Sequence, residues 1–421
     1  MILANFNRSL NGLFVLTLLT ATGCSQQPIS RLTLDQATLH KIDKDGVSLA
    51  HKIDKDGSTI VLAKQETPKA AKKIIVAKKE PKAEPKPESI WSRMISLYAF
   101  PKVDNARVDE EVKKFLKHPS HLVRVQRRAE PYLHLIMDEI EAKKLPGELA
   151  LLPIIESSFR ANVSSPASAA GLWQFIPSTG RSFGLKQNWW YDGRRDVYSS
   201  TQAATRYLKQ LHKSFKGDWF LALASYNVGL GNVRKAIKKN KAEELESDYW
   251  ALNLPKETED YVPKLLALAK IFANAEKYNL PLKSIPDKPF FKVVNIKSQI
   301  DLKKAAIMAG MKFNDFFVLN PAFNRVITAP NGPHRLLVKA DKVKAFKRKL
   351  AKLPKSKRVN WVKHKVAEGE DLKAIAKKHK TTIKNLLKVN NLKKKQIKEI
   401  KVGKTLKIPP VSIKVLTKGK A

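Results

Sequence analysis

Glu156 stands directly after Leu151-Leu-Pro-Ile-Ile155, where a helix of this composition should face a core and not water. Burial there disfavours the charged carboxylate and lifts its pKa toward the protonated form. A carboxyl that is neutral near pH 7 can give a proton to a leaving oxygen. A lone glutamate in such a place is more often paired to an arginine or exposed at a helix end, so its neighbours matter. Three further patches follow: Ala170-Gly-Leu-Trp-Gln-Phe-Ile-Pro-Ser-Thr-Gly180, Ala224-Ser-Tyr-Asn-Val-Gly229 and Glu257-Thr-Glu-Asp-Tyr-Val-Pro263. They hold two amides, Gln174 and Asn227, that donate and accept at once, and two phenols, Tyr226 and Tyr261, that either pack or place a hydroxyl beside an acid. A second carboxylate close to the first would allow a paired acid–base mechanism. Asp192 and Asp196 are candidates, but Arg194 and Arg195 between them make salt bridges the expected role.

The nine histidines show no metal spacing, and His118 and His121, beside Pro119, are read as solvated. No Ser-His-Asp ordering is supported, and a single cysteine excludes an intramolecular disulfide and any zinc site built on several thiolates. Neither a metal nor a cofactor is expected. The 421 residues suffice for two or three domains, and 43% hydrophobic content fills cores, which excludes a disordered chain. With 80 Lys and Arg against 38 Asp and Glu, the formal charge is +42, so a polyanion is an expected partner. Nucleic acid is not, because the Lys-rich C-terminal part lacks interleaved aromatics apart from Trp361.

The start of the chain accounts for the cysteine. Residues 1 to 11 carry Arg8 as their one charged side chain, and Leu13 to Ala21 form an apolar run too short to cross a bilayer, which takes about 20 residues. The run ends in Thr20-Ala-Thr-Gly-Cys24, which is similar to a lipoprotein signal: small residues admit the peptidase and the cysteine sulfur takes the lipid. Ala21 stands where that pattern usually has Leu. The expectation is a signal over residues 1–23 and lipidation at Cys24. Because Ser25 follows and not Asp, the chain is expected at the periplasmic face of the outer membrane.

Residues 24–90 read as a turn-rich tether and linker. His40-Lys-Ile-Asp-Lys-Asp-Gly46 recurs as His51-Lys-Ile-Asp-Lys-Asp-Gly57, without the Glu that closes a calcium loop. Residues 64 to 88 are Lys, Ala, Glu and Pro with few large apolar groups. From Trp91 apolar residues return at helical spacing, as in Leu133, Ile136, Met137 and Ile140. The pattern predicts an all-α domain to about residue 280, with residues 91–140 as its first part and 141–289 as its catalytic part. After Pro289 short β-rich pieces flank helical ones. An offset of 70 lays Asp301 to Asn320 over Asp371 to Asn390, Ile296 over Val366, and Leu336-Leu-Val338 over Leu406-Lys-Ile408. Each copy reads strand, helix, helix, strand. The copies occupy residues 290–340 and 362–410, with a basic linker at 341–361 and a basic tail at 411–421.

In the second copy, His364-Lys-Val-Ala-Glu-Gly-Glu-Asp-Leu372, Ile375-Ala376, Leu386, Asn390 and Val402-Gly-Lys-Thr-Leu-Lys-Ile-Pro409 resemble a LysM domain over the whole module. The resemblance implies a βααβ fold that grips N-acetylglucosamine-containing glycans in a shallow groove. Gly369, Glu370, Asp371, Leu372, Asn390, Asn391 and Leu392 would line it. The stretch from Asn390 to Gly403 is longer than usual, which reshapes that wall. Asp371 also suits a helix cap and Asn390 a turn. The first copy offers Ser298-Gln-Ile-Asp301 in place of the glycine loop and is expected to pack or space the modules.

The four patches around Glu156 together resemble the lytic transglycosylase (goose-type lysozyme-like) domain over roughly residues 141 to 280. Glu-Ser, Gly-Leu-x-Gln, Ala-Tyr-Asn and a late Tyr occur in this order, with Ser225 for the usual Ala. The chain is therefore expected to be multidomain, an all-α lysozyme-like catalytic domain followed by small βααβ LysM-type modules. By that resemblance Glu156 is the general acid and then the base on the bond between N-acetylmuramic acid and N-acetylglucosamine, and the product is a 1,6-anhydro sugar formed without water. Gln174 and Asn227 would hold the sugars and their N-acetyl groups. Ser157 would orient Glu156 or the start of the stem peptide, while Tyr226 and Tyr261 would place hydroxyls beside Glu156. Trp173 is assigned mainly to packing, and Trp189 and Trp190 either stack on sugars or pack. Peptidoglycan strands and, through the lipid, the membrane are the implied partners. A lysozyme-like hydrolase with the same acid and a non-catalytic peptidoglycan-binding lipoprotein are the alternatives.

Overall fold

The structure is a computed structural model that describes residues 89–393, 400–410 and 412, together with the backbone of 39–42, 48–53 and 59–61. Cys24, the expected signal and most of the basic tail lie outside the described residues. Among the described residues no helix is long and apolar enough to cross a membrane. The chain divides into two compact units, Met1–Lys82 and Ala83–Ala421.

The first unit holds an antiparallel three-stranded sheet of Leu39–Ile42, Ser48–Ile53 and Thr59–Val61, in chain order. His51 lies opposite both Leu39 and Val61. This corrects the reading of the stretch as turn-rich tether alone. Each His-Lys-Ile of the repeat lies in a strand.

In the second unit one continuous apolar core runs from Ile90 through Ile285 and takes in Phe291, Leu319 and Leu337, so residues 91–140 and 141–289 fold as one body. The helix Tyr261–Ala273 lies at its centre, packed on Ala106–Leu116 and Trp219–Val228. It buries Val262, Pro263, Leu265, Ala267, Leu268, Ala269, Ile271 and Phe272, which occupy most of its circumference, as a helix covered from several sides requires. Truncating a side chain such as Phe272 there costs about 3 to 5 kcal/mol. Pro263 is tolerated because it falls in the first turn, where its missing N–H has no helical acceptor. Side-chain caps start the flanking helices: Asp196 accepts from Ser199 N at 3.1 Å and Asp218 from Leu221 N at 2.9 Å.

Two βααβ modules follow. In the first, Phe291–Asn295 pairs antiparallel with Arg335–Lys339, with Val293 opposite Leu337, around the helices Leu302–Met308 and Phe313–Leu319. In the second, Lys363–Lys365 pairs with Thr405–Lys407 around Leu372–Lys378 and Ile383–Val389. The repeated Asp and Asn build this fold. Asp301 accepts from Lys303 N at 2.7 Å and Asp371 from Ala374 N at 2.7 Å, each capping the first helix of its module. Asn320 donates to Phe316 O and Leu337 O and accepts from Leu337 N, tying the second helix to the second strand. Asn390 makes the same three bonds with Leu386 O, Lys407 O and Lys407 N.

The stretch 341–361, read as a basic linker, instead contains the helix Val343–Lys352. Phe346 and Leu350, one turn apart among lysines, are buried in the core of the first module. That module is also bonded to the helical domain: Asp192 N donates to Ala322 O and Asn324 N to Trp190 O, both at 2.8 Å, and Arg335 pairs with Asp196 at 2.5 Å.

Candidate active site

Glu156 sits on the short helix Leu152–Ser157, whose end is set one residue later by Ser158 in a left-handed conformation (φ 49°). Phe159 is left-handed as well (φ 56°), and Ser158 N and Phe159 N return to Ile154 O and Pro153 O. The helix is therefore stopped just after Glu156, which points into a cavity of about 650 Å³, a size that holds a ligand. Gln174, Tyr207, Tyr226, Asn227, Glu257, Tyr261 and Lys264 share its lining.

The buried Tyr261 hydroxyl donates to Glu156 Oε1 at 2.5 Å. Burial pushes the Glu156 carboxyl up to about 7, the Tyr261 bond pulls it down in part, and the charge of Glu257 raises it again. Burial and the Glu156 charge hold the Tyr261 phenol well above its ordinary value, so it stays a donor. The site thus contains an acid that exchanges its proton near neutrality and a fixed donor beside it.

The loop carrying Gln174 is built by close backbone approach. Gly171 has φ 86°, and a Cβ there would lie 2.0 Å from Arg194 O. Arg194 donates to Ser168 O at 2.5 Å and Phe175 O at 3.1 Å while Asp192 pairs with it at 2.8 Å, so the loop is pinned from behind. Gln174, itself left-handed (φ 43°), donates Nε2 to Gly171 O at 2.7 Å. Asn227 accepts from Thr258 Oγ1 at 2.6 Å and its Nδ2 lies 3.4 Å from Glu257 Oε1.

Glu156, Gln174, Tyr226, Asn227 and Tyr261 are brought together as the residue types suggested; Ser157 is not. Its hydroxyl is buried against Leu172 O at 3.0 Å and Pro153 O at 3.2 Å, so it fastens the glutamate helix to the glutamine loop and does not line the cavity. The Tyr226 hydroxyl donates to Trp173 O at 2.8 Å, which holds the loop, and burial together with the Glu156 charge raises its pKa well above the ordinary value. Trp173 is buried and donates to Thr201 Oγ1. Asp192 and Asp196 pair with arginines away from the cavity. Trp189 lies 4.2 Å beneath the Arg325 guanidinium and Trp190 stands edge-on to Trp361, a packed junction outside the cavity. Glu257, four residues before Tyr261 on the preceding short helix Lys256–Glu259, adds a second carboxylate to the lining that motif spacing alone does not mark.

In the second module Leu372 belongs to the core and the Asn390 amide is spent on the three bonds above, which corrects their reading as groove residues. Asp371 is committed to its cap. Glu370 accepts from Ala367 N at 2.9 Å and meets His364 at 2.7 Å, which together hold its carboxyl down at about 2. Gly369 (φ 73°) and Asn391 (φ 53°) are exposed and Leu392 is half-buried, so these remain for a ligand. Residues 394–399 lie outside the described residues.

Residues 136–248 match the transglycosylase SLT domain, 290–355 the LysM-like domain of lytic transglycosylase MltD, and 364–409 the LysM domain. The chain is similar to membrane-bound lytic murein transglycosylase D of Escherichia coli strain K12, 37% identical over 305 residues that cover 70% of this chain and 68% of that one. The chain belongs to the lytic murein transglycosylase family. A putative tributyltin chloride resistance protein of Alteromonas sp. strain M-1 is 50% identical over 120 residues, 28% of this chain and 58% of that one. Among solved structures, the 70 kDa soluble lytic transglycosylase of Escherichia coli matches 39% of this chain and 30% of its own, at 21% identity and a TM-score of 0.31. A helical SLT domain is thus followed by LysM-type modules.

Proposed function

We propose that this transglycosylase cuts the bond between N-acetylmuramic acid and N-acetylglucosamine in peptidoglycan without water, leaving 1,6-anhydromuramoyl ends. The observation that carries the reading is Glu156, protonatable near neutrality and hydrogen-bonded to Tyr261 inside a ligand-sized cavity flanked by two amides. Protonated Glu156 gives its proton to the bridging oxygen as the bond from C1 to that oxygen breaks. The carboxylate so formed takes the proton of the muramoyl C6 hydroxyl, and the C6 oxygen closes on C1. Glu156 ends protonated, so one acid serves both steps. The Tyr261 hydroxyl stabilises the carboxylate between them. Gln174 and Asn227, whose amides are already oriented by Gly171 and Thr258, hold the sugars.

A hydrolytic reading has one observation in its favour, the second carboxylate of Glu257 in the same cavity. Mass spectrometry of the products of purified sacculi separates the two. Anhydromuramoyl ends support transglycosylation, and reducing muramoyl ends support hydrolysis. Solubilisation unchanged in Glu156→Gln would remove Glu156 as the acid of either reaction, and no solubilisation by the parent would leave a binding protein.

The second module tethers the enzyme to its polymer through Gly369, Asn391 and Leu392, raising local substrate concentration even at weak affinity. A lipid on Cys24 would anchor it at the periplasmic face of the outer membrane, and metabolic labelling with a clickable fatty acid, lost in Cys24→Ala, tests that. The surplus of +42 adds attraction to peptide-stem carboxylates and acidic lipid head groups. Retention on sacculi that is indifferent to salt would remove this electrostatic part.

A further inference from the structure

A second cavity, of about 560 Å³, adjoins the catalytic one, with Ile155 and Lys264 lining both. Its floor is apolar, formed by Ile154, Ile155 and Phe115. Its rim is basic and comes from three helices: Lys114 from Ala106–Leu116, His121 and Arg124 from Pro119–Ala129, and Lys264 from Tyr261–Ala273. Glu111 is the one carboxylate in the lining, and Lys114 occupies it at 2.6 Å. Arg124 donates to Ser120 Oγ at 3.1 Å, and neither it nor Lys264 forms an ion pair among the described residues. Burial, and after it the charges of Arg124, Arg128, Arg160 and His118, depress the pKa of His121, so uncompensated positive charge surrounds it.

Cations that outnumber the one carboxylate lining a concave surface favour a bound anion, and a guanidinium suits a carboxylate in particular. We propose that this cavity holds the free carboxylates of the acidic stem peptide borne by the muramoyl sugar at Glu156, with Arg124 and Lys264 meeting them. Two features favour a peptide over another polyanion. The cavity shares a wall with the catalytic one, within reach of a substituent on the sugar bound there, and its apolar floor suits the methyl groups of alanine residues between the carboxylates. The inference deepens the proposed function and rests on it for the position of the sugar.

The test compares glycan strands bearing stem peptides with the same strands stripped of peptide by an amidase, cut by the full chain and by Arg124→Glu. Arg124 is exposed, and turnover of stripped strands reports that the variant is folded. The expected result is a KM about tenfold higher on peptide-bearing strands, the loss of one charge-assisted contact, with KM on stripped strands changed less than about twofold. Equal changes on both substrates, or none on either, overturn the proposal. Calorimetric titration of the free stem tetrapeptide into both proteins makes the test independent of catalysis. Binding by the parent that weakens in the variant supports the cavity assignment; no binding, or equal binding, overturns it. A parent that leaves both strand types uncut but binds the tetrapeptide would count against the proposed function and not against this site.

Discussion

The Tyr261 hydroxyl and the Glu156 carboxylate, 105 residues apart in the chain, meet at 2.5 Å on the wall of one cavity. The bond favours the charged carboxylate, whereas burial and Glu257 favour the neutral acid. Two substitutions should therefore move the same pKa in opposite directions. Tyr261→Phe removes the donor, so the alkaline limb of the rate profile moves to higher pH while kcat falls about 10- to 100-fold from lost stabilisation of developing charge. Profiles of kcat against pH on sacculi read both effects.

Glu257→Gln removes a negative charge near Glu156, which then ionises more easily. The alkaline limb moves to lower pH, opposite to Tyr261→Phe. An unmoved limb would mean that Glu257 does not act on Glu156, and a loss of all turnover would point to the hydrolytic reading.

Glu156 also links stability to pH. Its pKa is raised in the fold, to about 7. The native state therefore keeps a proton that the unfolded chain releases above roughly pH 4.3. Stability falls as pH rises through that window, by roughly 3 to 4 kcal/mol once Glu156 is ionised. Glu156→Gln should be more stable than the parent by roughly 3 kcal/mol near pH 8 and about equal near pH 4. Urea denaturation at the two pH values measures the difference.

Ser157→Ala and Gly171→Ala test how the cavity is assembled. The first leaves Leu172 O without its hydroxyl donor and should cost about 1 to 2 kcal/mol of stability. The second places a methyl 2.0 Å from Arg194 O in a left-handed backbone and should cost more than about 3 kcal/mol, with loss of cleavage. Thermal melting orders the two.

Arg335→Met leaves the nearly buried Asp196 without its guanidinium partner. It should destabilise the enzyme by about 2 to 3 kcal/mol and speed amide exchange in residues 187–196, where the first module is bonded to the catalytic domain. Unchanged exchange there would show that the contact is dispensable.

Much of this was legible because the chemistry and the fold speak through the same residues. Glu156 after an apolar run announces an acid in a low-dielectric place, and the offset of 70 announces two copies of one module. What the spacing did not reveal was the division of labour. Ser157 turns away from the cavity, and Tyr226, though it lines the cavity, spends its hydroxyl on the backbone, because carbonyls at Leu172 and Trp173 needed donors. Asp371 and Asn390 mark the groove loop in sequence yet hold the module's own backbone. Phe346 and Leu350 were hidden by the lysines around them, although their spacing of four is that of a buried helix face. The basic cavity beside Ile155 joins two consecutive helices, Ala106–Leu116 and Pro119–Ala129, to Tyr261–Ala273 far along the chain, and only tertiary packing assembles it.

The central claim is that one acid, Glu156, gives a proton to the bridging oxygen and takes another from the sugar's own C6 hydroxyl. Digestion of purified sacculi in water enriched in heavy oxygen, with mass spectrometry of the new ends, addresses it most directly. The account predicts anhydromuramoyl ends free of the label, and almost no new ends with Glu156→Gln. Label incorporated at C1 of reducing muramoyl ends, or undiminished cleavage by Glu156→Gln, would contradict it.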